Sequence, residues 1–292
     1  MTVGEKIKKL RTEKAMTQSE LAGNFITRNM LSLIESGAAQ PSLPTIKYLA
    51  ERLNVPVGIL IEDDKYEYFY RRVSSMENIR RAFLNKDYRI CLDFCRKTES
   101  DIEDNELDLI KAECFLGIAK EDFSDGRLKK SCVNFDKACE YAEKTIYNAL
   151  HILSEAKMYC NYMRTISPSL FADCADNAIS FEMSMSDEFC RYVSYLSGMY
   201  SNTDIDNVSF ENVIYQDHIK SRLAIENGDY ETAYKLMTNI LNGSQSVPGP
   251  IMYDIFKDLE VCCRELGDFK GAYEYSGDKV IMLEKLLSDD LF

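Results

Sequence analysis

From Thr27 to Leu33 the chain reads Thr-Arg-Asn-Met-Leu-Ser-Leu, and these side chains match the edges of nucleic-acid bases. The Arg28 guanidinium can hold guanine through two parallel hydrogen bonds, and the Asn29 amide can do the same for adenine. Ser32 and Leu33 follow one helical turn later, where Leu33 can pack on a thymine methyl. Thr27 suits the cap just before them. Gln18, at the start of the preceding segment, suits a phosphate oxygen. Lys6, Lys9, Arg11 and Lys47 can contact the phosphate backbone, which adds affinity and salt dependence but no sequence readout. The alternative for all of these residues is the solvated face of a small helical bundle, and for the lysines both readings stand.

Reading bases requires a short, rigid helix with one face free, and the surrounding pattern supplies one. Val3 to Lys14 is amphipathic, with Val3, Ile7 and Leu10 on one face. Thr17, with Glu20 three residues on, forms a capping box for a helix expected to end near Phe25. Thr27 caps the next helix, which runs through Glu35 and stops at Gly37. Ser42 or Pro44 opens a fourth helix carrying Ile46, Leu49, Ala50 and Leu53, and Pro56 opens a short fifth with Val57, Leu60 and Ile61. Leu21, Ala22, Leu31 and Ile34 belong to the core of this unit. Glu62-Asp63-Asp64 marks its boundary, so the expected domains are 1–64 and 65–292.

The chain of 292 residues has a formal charge of −13, which taken whole argues against nucleic acid. Residues 1–61, however, hold eight Lys or Arg against five Asp or Glu, leaving 27 against 43 for the remainder. A mildly basic head on an acidic body fits contact with DNA through one end only. No apolar run approaches the roughly 20 residues of a membrane span, and the N-terminus lacks the apolar stretch of a signal peptide. A soluble, cytoplasmic protein without membrane contact is expected. The ten cysteines include no Cys-x-x-Cys pair and there are only two histidines, so the expectation is reduced core thiols, with no metal and no cofactor.

The first 61 residues resemble the Xre-type, phage-repressor-like helix-turn-helix family. Thr17, Gln18, Glu20, Leu21 and Ala22 match its first motif helix. Ile34 to Gly37 match the end of its second, and Pro41-Ser42 and Leu49-Ala50 match the segment after that helix. One departure is Ile26, a single residue between Phe25 and Thr27 where the family commonly has two, which predicts a shortened turn. The resemblance implies that Arg28, Asn29, Ser32 and Leu33 enter a major groove. It also implies a dimer on half-sites about 34 Å apart, because one such unit makes too few contacts for specific binding.

Beyond Lys65 the pattern is helical almost throughout. Asn227-Gly228-Asp229-Tyr230-Glu231-Thr232-Ala233 matches Leu266-Gly267-Asp268-Phe269-Lys270-Gly271-Ala272 at an offset of 39 residues, and Asn85-Lys86-Asp87-Tyr88, with Cys91, is a weaker copy. The expected unit is a helical hairpin in which glycine turns the chain, an aromatic plugs the gap and a small residue lets the helices approach. It resembles the tetratricopeptide repeat, whose period of about 34 is lengthened by a Gly/Ser/Pro loop at 242–250. The expected fold is therefore all-α: a five-helix DNA-binding head followed by a right-handed solenoid of helical hairpins. Tyr66, Tyr68, Phe69 and Tyr70 could pack the head against the body or a partner, or simply line a core.

The body shows no phosphate-binding loop and no nucleophile elbow, so an enzyme is not expected. His151 reads as a partly buried structural histidine. The concave face of such a solenoid suits an extended peptide. Alignment on the repeat pattern puts Tyr215, His218, Arg222 and Ile225 on the inner face. Asn161 could hold a peptide backbone, Arg191 or Arg222 could take its carboxylate, and Tyr195 lies in a similar aromatic and hydrogen-bonding stretch. Interhelical packing is the alternative for each. The layout as a whole resembles the peptide-sensing transcription regulators of Gram-positive bacteria, the Rgg and PlcR group. That resemblance implies a homodimer that binds a double-stranded operator under control of a short signalling peptide, as in quorum sensing. Two other functions remain open: an adaptor whose body docks a protein, and a regulator with a purely structural body.

Overall fold

A computed structural model describes residues 1–61, 64–98, 104–175, 187–197, 210–243 and 245–288. The side chains of residues 64–71, including the four aromatics between Tyr66 and Tyr70, lie outside the described set. Among the described residues there are fifteen α-helices and no strand. None of these helices is long and apolar enough to cross a membrane. The chain forms two compact units, one of Met1–Asn85 with Ile90–Glu103 and one of Lys86–Arg89 with Asp104–Phe292. The head expected at 1–64 lies within the first.

The head begins with α1 (Val3–Glu13), whose cap Thr2 forms a capping box with Glu5. Helix α2 (Gln18–Ala22) has the expected box between Thr17 and Glu20. Helix α3 (Arg28–Glu35) starts from Thr27, whose hydroxyl accepts from the Met30 N–H at 3.1 Å. Helix α4 (Leu43–Arg52) is capped by Ser42, and α5 (Val57–Ile61) follows Pro56. Each hydroxyl cap satisfies an N–H that the first helical turn leaves without a partner. Ile7, Leu21, Ala22, Leu31, Ile34, Ile46, Leu49, Ala50, Leu53 and Leu60 close into one core.

The turn between α2 and α3 differs from its sequence-based expectation. Helix α2 stops at Ala22, not near Phe25, because Gly23 adopts φ +54°, a left-handed conformation that ends the helix. The connection therefore spans 23–27, and the single-residue spacing at Ile26 does not shorten it. Phe25 swings out and stacks on Tyr48 at 4.6 Å between ring centroids. A second glycine is required at Gly4, where an added Cβ would lie 1.9 Å from the Ile34 carbonyl oxygen. Helices α1 and α3 approach each other closely at this point.

In the first unit α6 (Asp64–Leu84) and most of α7 (Tyr88–Thr98) follow the head. The second unit holds α8 (Asn105–Ser124), α9 (Leu128–Lys144), α10 (Leu150–Ile166), α11 (Glu188–Leu196), α12 (Val213–Glu226), α13 (Tyr230–Asn242), α14 (Gly249–Glu265) and α15 (Phe269–Leu287). The closest pairs are α8 with α9, α12 with α13, and α14 with α15, each a hairpin about a short turn. Gly228 and Gly267 turn their hairpins at φ +76° and +80°, and Asp229 and Asp268 cap the following helices. Ala233 and Ala272 are buried where those helices approach their partners.

One further copy is not evident in the sequence. Gly126, at φ +79°, turns α8 into α9; Leu128 stands in the aromatic place and Ser131 in the small-residue place. Ser131 Oγ donates to the Ala119 carbonyl at 2.8 Å, and Cys91 Sγ makes the equivalent contact with Ile79 at 3.5 Å. Lys86, with φ +62°, substitutes for glycine in the Cys91 copy. The aromatic place is not always a plug: Phe269 is 73% exposed.

Candidate nucleic-acid interface

Helix α3 divides its residues cleanly. Leu31, Ile34 and Glu35 are buried, while Arg28, Asn29, Ser32 and Leu33 face outward. Arg28 and Ser32 are one turn apart, as are Asn29 and Leu33, so the four make a single exposed patch. Leu33 leaves 47% of its surface in solvent, with Met30 and Phe25 also exposed nearby in sequence. Solvent-facing apolar groups beside Arg and Asn suit base edges, which present methyl groups as well as hydrogen-bonding atoms.

What holds this patch in place is a buried carboxylate to which the sequence alone assigns no role. Glu35 accepts from Arg11 Nε at 2.7 Å and from Arg11 Nη2 at 3.0 Å. It also accepts from Gln18 Nε2 at 2.9 Å. Arg11 reaches on to the Met16 carbonyl at 2.8 Å, so one ion pair ties α1, the turn after it, α2 and the C-terminal end of α3. Burial pushes the Glu35 carboxyl upward, but the hydrogen bonds from Arg11 and Gln18 outweigh it and hold its pKa below the ordinary value. An acidic residue beside Ile34 and Gly37, with an arginine on the first helix and a glutamine opening the second, was the available signal.

Three expected backbone contacts are thereby revised. Arg11 is engaged inside the head by Glu35, and the Gln18 amide is turned onto the same carboxylate. Lys6 is only 8% exposed, because α1 turns Gly4, Lys6 and Ile7 inward against α3 and α5. Its alkyl stem packs as a lysine stem can, so it is not presented to a phosphate. Lys9 and Lys47 are exposed, and Thr27 serves as cap.

A family model described as helix-turn-helix matches residues 7–60. The immunity repressor protein of Bacillus phage phi105 is 33% identical over an aligned stretch of 98 residues, covering 30% of this chain and 68% of the repressor. The chain belongs to the helix-turn-helix family of DNA-binding regulators.

Two solved structures align along nearly the whole regulator at low identity. PlcR from Bacillus thuringiensis, in complex with the peptide PapR7 and DNA, is 15% identical, with 99% of both chains covered and a TM-score of 0.22. ComR from S. thermophilus, in complex with DNA and its signalling peptide ComS, is 16% identical, covers 96% of this chain and 99% of its own, and has a TM-score of 0.25. At such scores neither likeness carries a ligand over to this regulator.

In the regulator's second unit, the five residues expected at a peptide are not alike. His218 is wholly buried: Nδ1 meets the Tyr192 hydroxyl at 2.7 Å and Nε2 meets Asp258 at 3.2 Å. The expectation that it faces a groove is corrected, since the α12 face that carries it packs inward. Arg222 Nη1 donates to both Asp258 oxygens, at 2.8 and 3.0 Å, and the rest of its side chain reaches solvent. Asn161 is exposed and accepts from Arg164. Arg191 lies over the Phe210 ring at 5.4 Å, with Tyr195 edge-on to the same ring at 6.1 Å. Arg191 Nε is buried without a hydrogen-bond partner among the described residues.

Charged groups inside this unit are paired with care. Burial drives the Asp258 carboxyl upward, yet His218 and Arg222 overcome it and leave its pKa depressed. Asp254, one turn earlier, accepts from the Tyr162 hydroxyl and has no such cation in hydrogen-bond contact among the described residues; burial keeps its pKa raised. His151 hydrogen-bonds Glu113 at 2.7 Å, and that bond raises its pKa.

Proposed function

We propose that this chain is a sequence-specific transcriptional regulator that binds a double-stranded operator as a homodimer. Helix α3 enters the major groove, Arg28 and Asn29 meet base edges, and Ser32 and Leu33 complete the readout. Thr27 fixes the helix start, and Lys9 and Lys47 contact phosphates. The observation that carries this reading is the outward patch of Arg28, Asn29, Ser32 and Leu33 on a helix anchored through Glu35. The head's basic balance steers it to DNA while the acidic body is repelled. Such a protein works in the cytoplasm, where the operator is.

The test is binding of the full chain to genomic fragments recovered with it, followed across salt concentration. Affinity should fall steeply with salt, and Arg28→Glu should abolish binding without unfolding the protein. Salt-insensitive binding, or none, would sink the reading.

The second unit on this reading senses a short peptide that controls DNA binding. Arg191 supports it, since a buried Nε without a partner among the described residues, beside Phe210 and Tyr195, suits a peptide carboxylate and an apolar side chain. A peptide at 100 times its dissociation constant should stabilise the protein by about 2.7 kcal/mol. A screen of fractions from spent growth medium that gives no thermal shift, or an equal shift with Arg191→Ala, would leave the body structural.

A further inference from the structure

Cys132 and Cys174 are 42 residues apart, and the spacing of the cysteines along the chain predicts no metal site. The second unit brings those two together with an aspartate. Cys132 and Asp136 are one turn apart on α9, so their side chains share a face. Cys174 comes from the segment after α10, and its Sγ, the Cys132 Sγ and an Asp136 carboxylate oxygen all lie within 4.8 Å of one another. The Cys174 thiol also interacts with Cys160, which is buried on α10 behind it. No disulfide joins any of them.

The surroundings fix these donors. Arg164 donates through Nε to the carbonyls of Phe171 and Ala172, at 3.0 and 3.1 Å, and through Nη2 to that of Cys174. The Ala175 N–H donates to Asp136 Oδ1 at 2.9 Å, leaving Oδ2 turned to Cys132 at 4.0 Å. Cys174 is buried, Cys132 is half-buried and Asp136 is exposed, so the donors open to solvent on one side. Tetrahedral zinc, with metal–sulfur bonds of about 2.3 Å, needs neighbouring ligands roughly 3.5–3.8 Å apart. A contraction of about an ångström brings the three atoms there, within the reach of side-chain rotation.

We propose that Cys132, Asp136 and Cys174, with the fourth position left to water on the solvent side, form a binding site for a thiophilic divalent cation of the zinc class. Two thiolates and one carboxylate suit such an ion and are poor ligands for magnesium or calcium. The ion displaces the thiol protons to solvent as it binds, and the neighbouring Arg164 guanidinium offsets part of the remaining negative charge. Bound, it would clip α9 to the segment after α10 and stiffen the hairpin turned at Gly126. The proposal is independent of what the head binds.

The test uses the reduced full chain with Co2+ as probe. One equivalent should give thiolate-to-cobalt charge-transfer absorption with tetrahedral visible bands, and Zn2+ should displace it and raise the melting temperature. Cys132→Ser should lose the charge-transfer intensity or weaken Co2+ by more than the roughly tenfold cost of even an outer-shell change. Asp136→Asn, which keeps an oxygen to accept from the Ala175 N–H but loses the charge, should weaken binding in the same direction. Cys139→Ser, on the same helix outside the cluster, should bind as the parent does. Absence of thiolate absorption in the parent, or unchanged Co2+ affinity in both Cys132→Ser and Asp136→Asn, overturns the proposal.

Discussion

In the head, polar side chains with recognition chemistry point outward and one buried ion pair holds them there. In the second unit the arrangement is inverted: His218, Asp258 and Tyr192 face inward and satisfy one another, while aromatic rings fill the space around them. A surface that reads DNA needs donors free of internal partners, because a partner must be displaced before a base is met. A helical stack that buries polar groups needs each one answered from a neighbouring hairpin, or the burial costs more than the packing returns.

The contrast can be broken most sharply at Glu35. Glu35→Ala strands Arg11 and should destabilise the head by about 3–5 kcal/mol in urea denaturation, the range for opening a buried pair. Because the Glu35 pKa is depressed, its contribution is present above the ordinary glutamate value and disappears as pH falls through the lower folded one. A parent whose acid unfolding matched that of the variant would contradict this.

Asp258→Asn should come next. It leaves His218 and Arg222 facing a neutral amide, and about 2–3 kcal/mol is expected, reduced from the fully buried range because Arg222 is partly wet. DNA affinity should be untouched; a loss at the operator would mean that the two regions do not divide the labour as described.

Arg28→Ala tests the outward face. The expected cost is about 1–3 kcal/mol in operator affinity, measured by gel shift, with specificity relaxed at one base pair. Stability should move by less than about 0.5 kcal/mol, as for other surface changes. A larger loss of stability would make Arg28 a structural residue.

The smallest effect has the opposite sign. Asp254→Asn removes a carboxylate whose pKa burial raises, so it should stabilise the protein at neutral pH by under about 1 kcal/mol. The gain should vanish at acidic pH, where the parent carboxyl is already protonated in the folded state. Destabilisation at neutral pH would show that the bond from Tyr162 needs the charge.

Much of the head is legible in the sequence because its signals are local. Thr17 with Glu20, Thr27, Ser42 and Pro56 each begin a helix within their own first turn, and the apolar spacing of Leu31 and Ile34 orients α3 without reference to anything remote. The end of α2 is not legible in the same way, because Gly23 can continue a helix or end it, and the choice depends on Phe25 finding Tyr48 on α4. The hairpin at Gly126 is hidden for a related reason: leucine and serine replace the aromatic and alanine that mark the Gly228 and Gly267 copies, while the backbone geometry is kept.

Periodicity and capping by themselves determined that this chain is helical, where α3 begins, and which of its residues avoid the core. Those properties depend on interactions within a few residues. Tertiary structure decided which polar groups are available, because that depends on partners 17 to 40 residues away: Gln18 and Arg11 on Glu35, and His218 and Arg222 on Asp258. The meeting of Cys132 with Cys174, 42 residues apart, is likewise invisible until the helices pack. Sequence spacing measures distance along the chain, whereas hydrogen bonding and metal ligation depend on distance through space.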